Sequence, residues 1–247
     1  MSTRRRYRAT VAYDGTAYQG FQRQAEGKPT VQGAIEDALW AIGGEHLTIM
    51  GAARTDTGVH AAGQVIAWDM LWRHGAQDLL RALNAALPRD IALQSVEETH
   101  AGFHPRYDAH SRIYQYSIYN APVRHPLYAR ATWHVGRPLA LPAMQAAAQL
   151  LWGEHDFAAF GKPPQGENTV RVVHRAGWER RENTLVFTIE ANAFLQRMVR
   201  SVVGTMVAVG AGSLSPEAFA DILTSADRAR AGQTAPPHGL CLCSVQY

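Results

Sequence analysis

Residues 51–61 read Gly-Ala-Ala-Arg-Thr-Asp-Thr-Gly-Val-His-Ala. A carboxylate just past a strand, between Arg54 and a glycine that permits a sharp reversal, is presented at a sheet edge rather than in the core. Two uses fit Asp56 there. It can close an Asx turn by accepting backbone N–H bonds, or it can face a substrate as a reactive group. Arg54 is then its salt-bridge partner or a phosphate contact, and His60 a turn histidine. A second group lies in 103–116, where Arg112, Tyr114 and Tyr116 recur at i, i+2 and i+4. A strand carries all three on one face. Rings interleaved with Arg suit unstacked bases, each stack being worth roughly 1–3 kcal/mol, and a core-facing Tyr pair with Arg at its margin fits the spacing equally. A third is the apolar run 194–204, interrupted by Arg197 and Arg200. In such surroundings Arg200 needs a carboxylate partner.

Other reaction classes lose their signatures. Gly204, Gly210 and Gly212 have the wrong spacing for a dinucleotide fingerprint, and no glycine-rich run ends in Gly-Lys-Ser/Thr. His100 and His104 have zinc-helix separation, but Gly102 between them and Pro105 after them oppose a helix. Cys241 and Cys243 lack further ligands at metal spacing and read as neighbours on one strand face. There is no Gly-x-Ser-x-Gly elbow. Neither a cofactor nor a metal is expected.

The elements that position these groups follow from periodicity. Strand Arg6–Tyr13 ends in the turn Asp14-Gly15-Thr16. A helix over 31–42 starts at Thr30 and stops at Gly43-Gly44. Strands Leu47–Ala53 and Gly63–Met70 flank the turn-rich 54–62, helix Asp78–Leu87 precedes Pro88, and strand Ile91–Val96 completes β-α-β-β-α-β. The second half repeats the order. Strand Ile113–Tyr119, helix Leu141–Trp152, hairpin Val170–Arg180 with Thr184–Ala191, helix Phe194–Val209, a short helix Pro216–Thr224 and a closing strand Leu240–Gln246 follow one another. Loops are expected at 18–29, 120–139, 161–169 and 227–239. This is an α+β chain of two ferredoxin-like halves, 1–105 with Asp56 and 106–247, whose antiparallel sheets abut around an active cleft.

Length and composition support that size of core. The chain has 247 residues, 47% of them hydrophobic and 18% charged, with a formal net charge of +3. Of 24 basic residues only Lys28 and Lys162 are lysines, a bias that suits RNA contacts and equally a GC-rich genome. No signal-like apolar run follows the basic N-terminus, and the uncharged stretches 138–153 and 201–216 fall short of a membrane span. A cytoplasmic protein is expected.

Taken in order, the motifs resemble one family across nearly the whole chain. They are Tyr13-Asp14-Gly15-Thr16, Gly20-Phe21-Gln22, Thr30-Val31-Gln32, 54–61, Leu83-Asn84-Ala85-Ala86-Leu87-Pro88, Phe103-His104, Arg112 with Tyr114, His155-Asp156-Phe157, Met198-Val199-Arg200, and Ala235-Pro236-Pro237 before Gly239-Leu240. This set resembles the TruA family of tRNA pseudouridine synthases, which isomerise uridines 38, 39 and 40 of the anticodon stem and loop without a cofactor. The resemblance implies Asp56 as nucleophile, Tyr114 as the ring stacked on the target base and Arg200 as the ion-pair partner of Asp56. Arg54 and Arg112 fall at the same cleft as substrate contacts. It implies tRNA and a second copy of the chain as partners, and neither membrane nor DNA. Phe21 stands where the family commonly has Trp, Ala53 where Gly precedes Arg-Thr-Asp, and Gln196 where His is frequent. Altered loop packing or RNA affinity is expected from these, not lost chemistry. Two other readings compete: a non-catalytic tandem RNA-binding module, and a glycoside hydrolase, which needs a second carboxylate.

Overall fold

Tyr7, Ala9, Val11 and Tyr13 point inward and their neighbours outward along the first strand, the period-two signature of a half-buried ladder. The computed structural model describes residues 4–24, 27–163 and 166–247. Met1–Thr3 of the basic N-terminus, and Ala25, Glu26, Pro164 and Gln165 of two expected loops, lie outside the described residues. In chain order the first elements are β1 (Arg5–Tyr13), α1 (Val31–Gly43), β2 (Met50–Gly51), β3 (His60–Met70), α2 (Ala76–Ala86) and β4 (Ile91–Thr99). Then come β5 (Ser111–Tyr119), β6 (Trp133–His134), α3 (Leu141–Gln149), β7 (Gly153–Asp156), β8 (Val170–Arg181) and β9 (Thr184–Ala191). The chain continues with α4 (Met198–Gly210), α5 (Pro216–Ser225) and β10 (Leu240–Gln246). Among the described residues this is a mixed α/β protein with mostly antiparallel strands and five α-helices.

Two compact units form, one running to His110 and taking back Leu242–Tyr247, the other Ser111–Cys241. In the first, β1 pairs antiparallel with both β3 and β4, β2 pairs with β3, and β10 neighbours β3. Thr30 caps α1 by accepting from the Gly33 N–H, and Gly44 ends it in the left-handed conformation at φ 66°, as the sequence predicts. Ile35 and Leu39 of α1 and Leu79 and Leu83 of α2 are buried with Tyr7, Ile66 and Trp68. Asn84 fastens α2 to β4, donating to the Leu93 carbonyl at 2.9 Å and accepting from its N–H at 2.8 Å.

The second unit has the order β5-β9-β8-β7, with β6 parallel to β5. Trp178, Phe187, Phe157, Phe160 and, from α5, Phe219 are buried in its core. The hairpin turn falls at Glu182, which takes φ 53°.

Several boundaries differ from the sequence expectation. The ladder of β2 is two residues instead of seven: before it the Ile49 N–H goes to the Glu36 carboxylate, and beyond Ala52 the Gln64 side chain takes over. Helix α4 starts at Met198 instead of Phe194, since Arg197 has φ 64° and cannot continue a right-handed helix. The third helix stops at Gln149, and Gly153, at φ 96°, turns the chain into the unexpected edge strand β7. The break between units falls after His110, not after 105, and the last strand belongs from Leu242 onward to the first unit. The reason is steric and apolar. Gly63 on β3 lets the Cys243 carbonyl approach to 2.2 Å from where a Cβ would stand, and Val245 packs with Ala52, Val65, Ala67 and Phe103.

Candidate active site

The segment that carries Asp56 is non-repeating backbone, and its shape comes from specific bonds. The Ala52 N–H donates to the Val65 carbonyl at 2.8 Å, the last main-chain bond beside β2. One residue on, Gln64 takes over. Its side chain accepts from the Ala53 N–H at 3.2 Å and donates to the Ala53 carbonyl at 2.7 Å. The hydroxyls of Tyr13 and Thr55 are bonded at 2.7 Å, and the Phe21 N–H donates to the Thr55 carbonyl at 3.1 Å. The Val59 N–H closes the turn on the Asp56 carbonyl at 3.1 Å, and Gly58 supplies φ 75°. Asp56 is half-buried, Arg54 is exposed and Thr55 between them is buried.

Neighbouring loops lie against this turn. At Gly20, φ 92°, a Cβ would come within 2.8 Å of the Thr55 carbonyl, and at Gly15 within 2.0 Å of the Val59 carbonyl. Glycine is required at both for close approach. The Gly15 N–H donates to His60 Nδ1 at 3.1 Å, so His60 ties two turns together. The turn expected after β1 forms as an Asx turn, Asp14 accepting from the Thr16 N–H at 3.0 Å, and Gly15 does not take a positive φ. Tyr18 donates to Asp90 at 2.7 Å, and burial together with that acceptor pushes its hydroxyl far above the ordinary phenol range. The Phe21 loop is held to α1 by a buried carboxylate. Glu36 pairs with Arg23 at 2.8 Å and accepts from Gln32 at 2.8 Å and from the Ile49 N–H at 3.0 Å. Phe21 itself is buried against Gly51 and Tyr13, so a ring is kept where the family commonly has Trp. Ala53 is not among the residues with positive φ, and its departure from Gly carries no backbone strain.

The other expected residues lie in the second unit. Arg112, Tyr114 and Tyr116 share one buried face of β5, as their spacing predicts. Arg112 donates to the Asn192 carbonyl at 2.8 Å, and Tyr114 meets Phe194 edge-on at 4.9 Å. Tyr116 is a core residue: its hydroxyl donates to the Pro236 carbonyl at 2.8 Å, and its ring packs on Gly239. Burial pushes its ionisation far up, against a smaller opposing pull from the Arg200 charge. Arg200 is half-buried on α4 and exchanges both main-chain bonds of Ala235, accepting its N–H at 3.0 Å and donating Nε to its carbonyl at 2.8 Å. Arg54 and Asp56 therefore share one turn in the first unit, and Arg112, Tyr114 and Arg200 belong to the second.

The sequence reading singles out neither Gln64 nor Glu36, and it takes Tyr13 and Gln32 only as members of motifs. A polar amide within the apolar run 61–68 was a signal that a partner must exist, because buried polar groups are hydrogen-bonded. His104 is not poised as a ligand, since Nδ1 accepts from the N–H groups of Arg106 and Tyr107. Among the described residues no three His, Cys, Asp or Glu gather to hold a metal ion, and no helix is long and apolar enough to cross a membrane.

A mixed α/β chain that presents a carboxylate on a braced turn beside arginine fits an enzyme acting on an anionic substrate, and comparison with known proteins gives the family. A family model described as tRNA pseudouridine synthase matches residues 9–108 and 147–247. The chain is 41% identical over 245 residues to tRNA pseudouridine synthase A of Pseudothermotoga lettingae, covering 98% of this chain and 100% of that protein. It is 40% identical to the protein of that name from Neisseria gonorrhoeae (99% and 92% covered) and 45% identical to that from Chloroflexus aurantiacus (96% and 87% covered). The chain belongs to the tRNA pseudouridine synthase family, whose members are isomerases that convert uridine to pseudouridine.

Proposed function

We propose that the protein converts uridine to pseudouridine at positions 38, 39 and 40 in the anticodon stem and loop of tRNA, with Asp56 as nucleophile and no cofactor. The observation that carries this reading is the turn that bears Asp56. Ala53, Thr55 and Asp56 are held by the Gln64 amide, the Tyr13 hydroxyl and the N–H groups of Phe21 and Val59, at and within the stretch 54–61 that resembles the family's motif. Such bracing fits a group that must meet a reacting atom in one geometry.

The chemistry asks little else of the protein. The N1–C1′ bond breaks, the uracil turns, C5 joins C1′ and gives up its proton, and N1 takes one up, so atoms and electrons balance between uridine and pseudouridine. Asp56 acts as the ionised carboxylate, by attack at C1′ or C6 or by removing the C2′ proton. Arg200 is proposed as the ion-pair partner of Asp56 when RNA covers the site, its charge favouring the ionised carboxylate. Tyr114 is proposed to stack on the extruded base and offset part of its unstacking cost. Arg54, exposed beside Asp56, and Arg112 are proposed as substrate contacts.

The chain order of the first unit, with strands in the order β4-β1-β3 and β2 on β3, supports reading that unit as ferredoxin-like, and we extend the reading to the second. A second copy of the chain is proposed as partner and the cytoplasm as location.

The test is Asp56→Asn. Pseudouridines formed in unmodified tRNA are mapped by chemical labelling and primer extension, and tRNA affinity is measured in parallel. Turnover is expected to vanish while affinity stays within about 2-fold, the carboxylate acting in chemistry and not in phosphate contact. An Asp56→Asn protein that still forms pseudouridine defeats the proposal.

A further inference from the structure

Gln64 lies on β3 with 0% exposure, in a strand whose other inward residues are apolar. A buried amide left unpaired costs about 1–3 kcal/mol, so a side chain of this type persists only where its partners are fixed. Its partners are both main-chain groups of Ala53, three residues before Asp56. The Gln64 amide acts there as one more rung of a ladder whose backbone rungs have stopped at Ala52. Two residues further on, the buried Thr55 hydroxyl is bonded to Tyr13 on β1 at 2.7 Å. The turn is thus pinned from two different strands, at a point where Asp56 is only half-buried and apolar packing cannot set its position.

We infer that Gln64 and Thr55 are positioning residues for the isomerisation, holding the backbone of 53–56 so that the Asp56 carboxylate meets the target nucleotide in its reacting geometry. This rests on the reading of Asp56 given above. The two bonds act on rate and not on affinity. Both groups are buried and bonded within the protein, whereas a shift of about 1 Å in a reacting group costs on the order of 100-fold in rate.

The experiment compares Gln64→Met, Thr55→Val, Thr55→Ser and Asp56→Asn in the full chain. Each is assayed for cooperative thermal unfolding, for affinity to unmodified tRNA, and for single-turnover pseudouridine formation with enzyme in excess. Gln64→Met keeps side-chain length without the amide. Thr55→Val replaces the hydroxyl by a methyl at constant shape, and Thr55→Ser restores the hydroxyl. The expected result is a rate loss of about 10- to 100-fold in Gln64→Met and Thr55→Val, affinity within about 2-fold of wild type, and a near-normal rate in Thr55→Ser. Each residue stands by its own variant. A folded Gln64→Met or Thr55→Val protein with wild-type rate removes that residue from the proposal, and so does a rate that falls only in proportion to lost affinity. If Gln64→Met does not fold, the Thr55 pair decides: a Thr55→Ser rate as low as that of Thr55→Val overturns the inference. Asp56→Asn separates the two readings. If it retains turnover, the assignment of Asp56 fails regardless of what Gln64 and Thr55 do.

Discussion

Arg6 and Asp69 face each other across the β1–β3 ladder, and the guanidinium grips the carboxylate with two nitrogens, Nε to Oδ1 at 2.8 Å and Nη2 to Oδ2 at 2.6 Å. Its third contact, Nη1 to the Phe103 carbonyl at 2.9 Å, ties the ladder to the chain beyond β4. The bonds from Arg6 hold the Asp69 carboxyl below its ordinary range. A group whose folded pKa is depressed adds stability above its unfolded pKa, and that stability is lost as pH falls through the folded value. Asp69→Asn should therefore melt slightly lower than wild type at neutral pH and converge with it on acidification. The carboxylate is 41% exposed, so solvent screening limits the effect to about 1 kcal/mol or less. Melting temperatures from pH 7 downward check this, and parallel curves for the two proteins would refute it. At this scale the site was partly legible. Asp56 could be read because a carboxylate between arginine and glycine in a turn is presented outward. Gln64 could be read as needing a partner, but the partner is main chain eleven residues away, and only the β2–β3 register supplies it.

Helix α4 packs closely because two of its residues have no side chain. At Gly204 a Cβ would stand 1.7 Å from the Gln233 carbonyl, and at Gly210 2.6 Å from Met144 Sδ. The first neighbour is backbone and cannot yield cheaply. Gly204→Ala is expected to destabilise the protein by about 1–3 kcal/mol through overpacking. It should also push segment 233–235 away from α4, loosening Ala235, on which Arg200 rests through both main-chain bonds. Urea unfolding with a parallel pseudouridine assay tests both steps, and an unchanged midpoint would refute the close approach. Long elements such as α1 were legible because an apolar stripe, a threonine cap and a closing glycine agree. The start of α4 was not, since apolar periodicity runs through Phe194–Met198 and is blind to the sign of φ at Arg197. Strands β6 and β7, with two and four residues, are too short to show a period and exist only through their partners β5 and β8.

Chain order and spatial order part company at the C-terminus. Element order alone assigns the last strand to the half that precedes it, yet Leu242–Tyr247 completes the unit built from the first 110 residues. Three contacts beyond strand pairing explain the preference. Val245 joins the cluster around Phe103, the Tyr247 hydroxyl donates to the Pro105 carbonyl at 2.7 Å, and the His110 N–H donates to the Gln246 carbonyl at 2.8 Å. The first unit therefore closes through contacts far apart in sequence, which slows their formation. Removal of Leu242–Tyr247 should expose the edge of β3 and uncover Ala52, Val65, Ala67 and Phe103, at the margin of the turn that carries Asp56. Amide hydrogen exchange reads the outcome by segment. In the shortened chain, protection along His60–Met70 is expected to fall by about 10-fold or more, equivalent to about 1.4 kcal/mol of local stability, while the β8–β9 hairpin keeps its own. Loss confined to the second unit, or none at all, would return the last strand to the half that its place in the chain suggests.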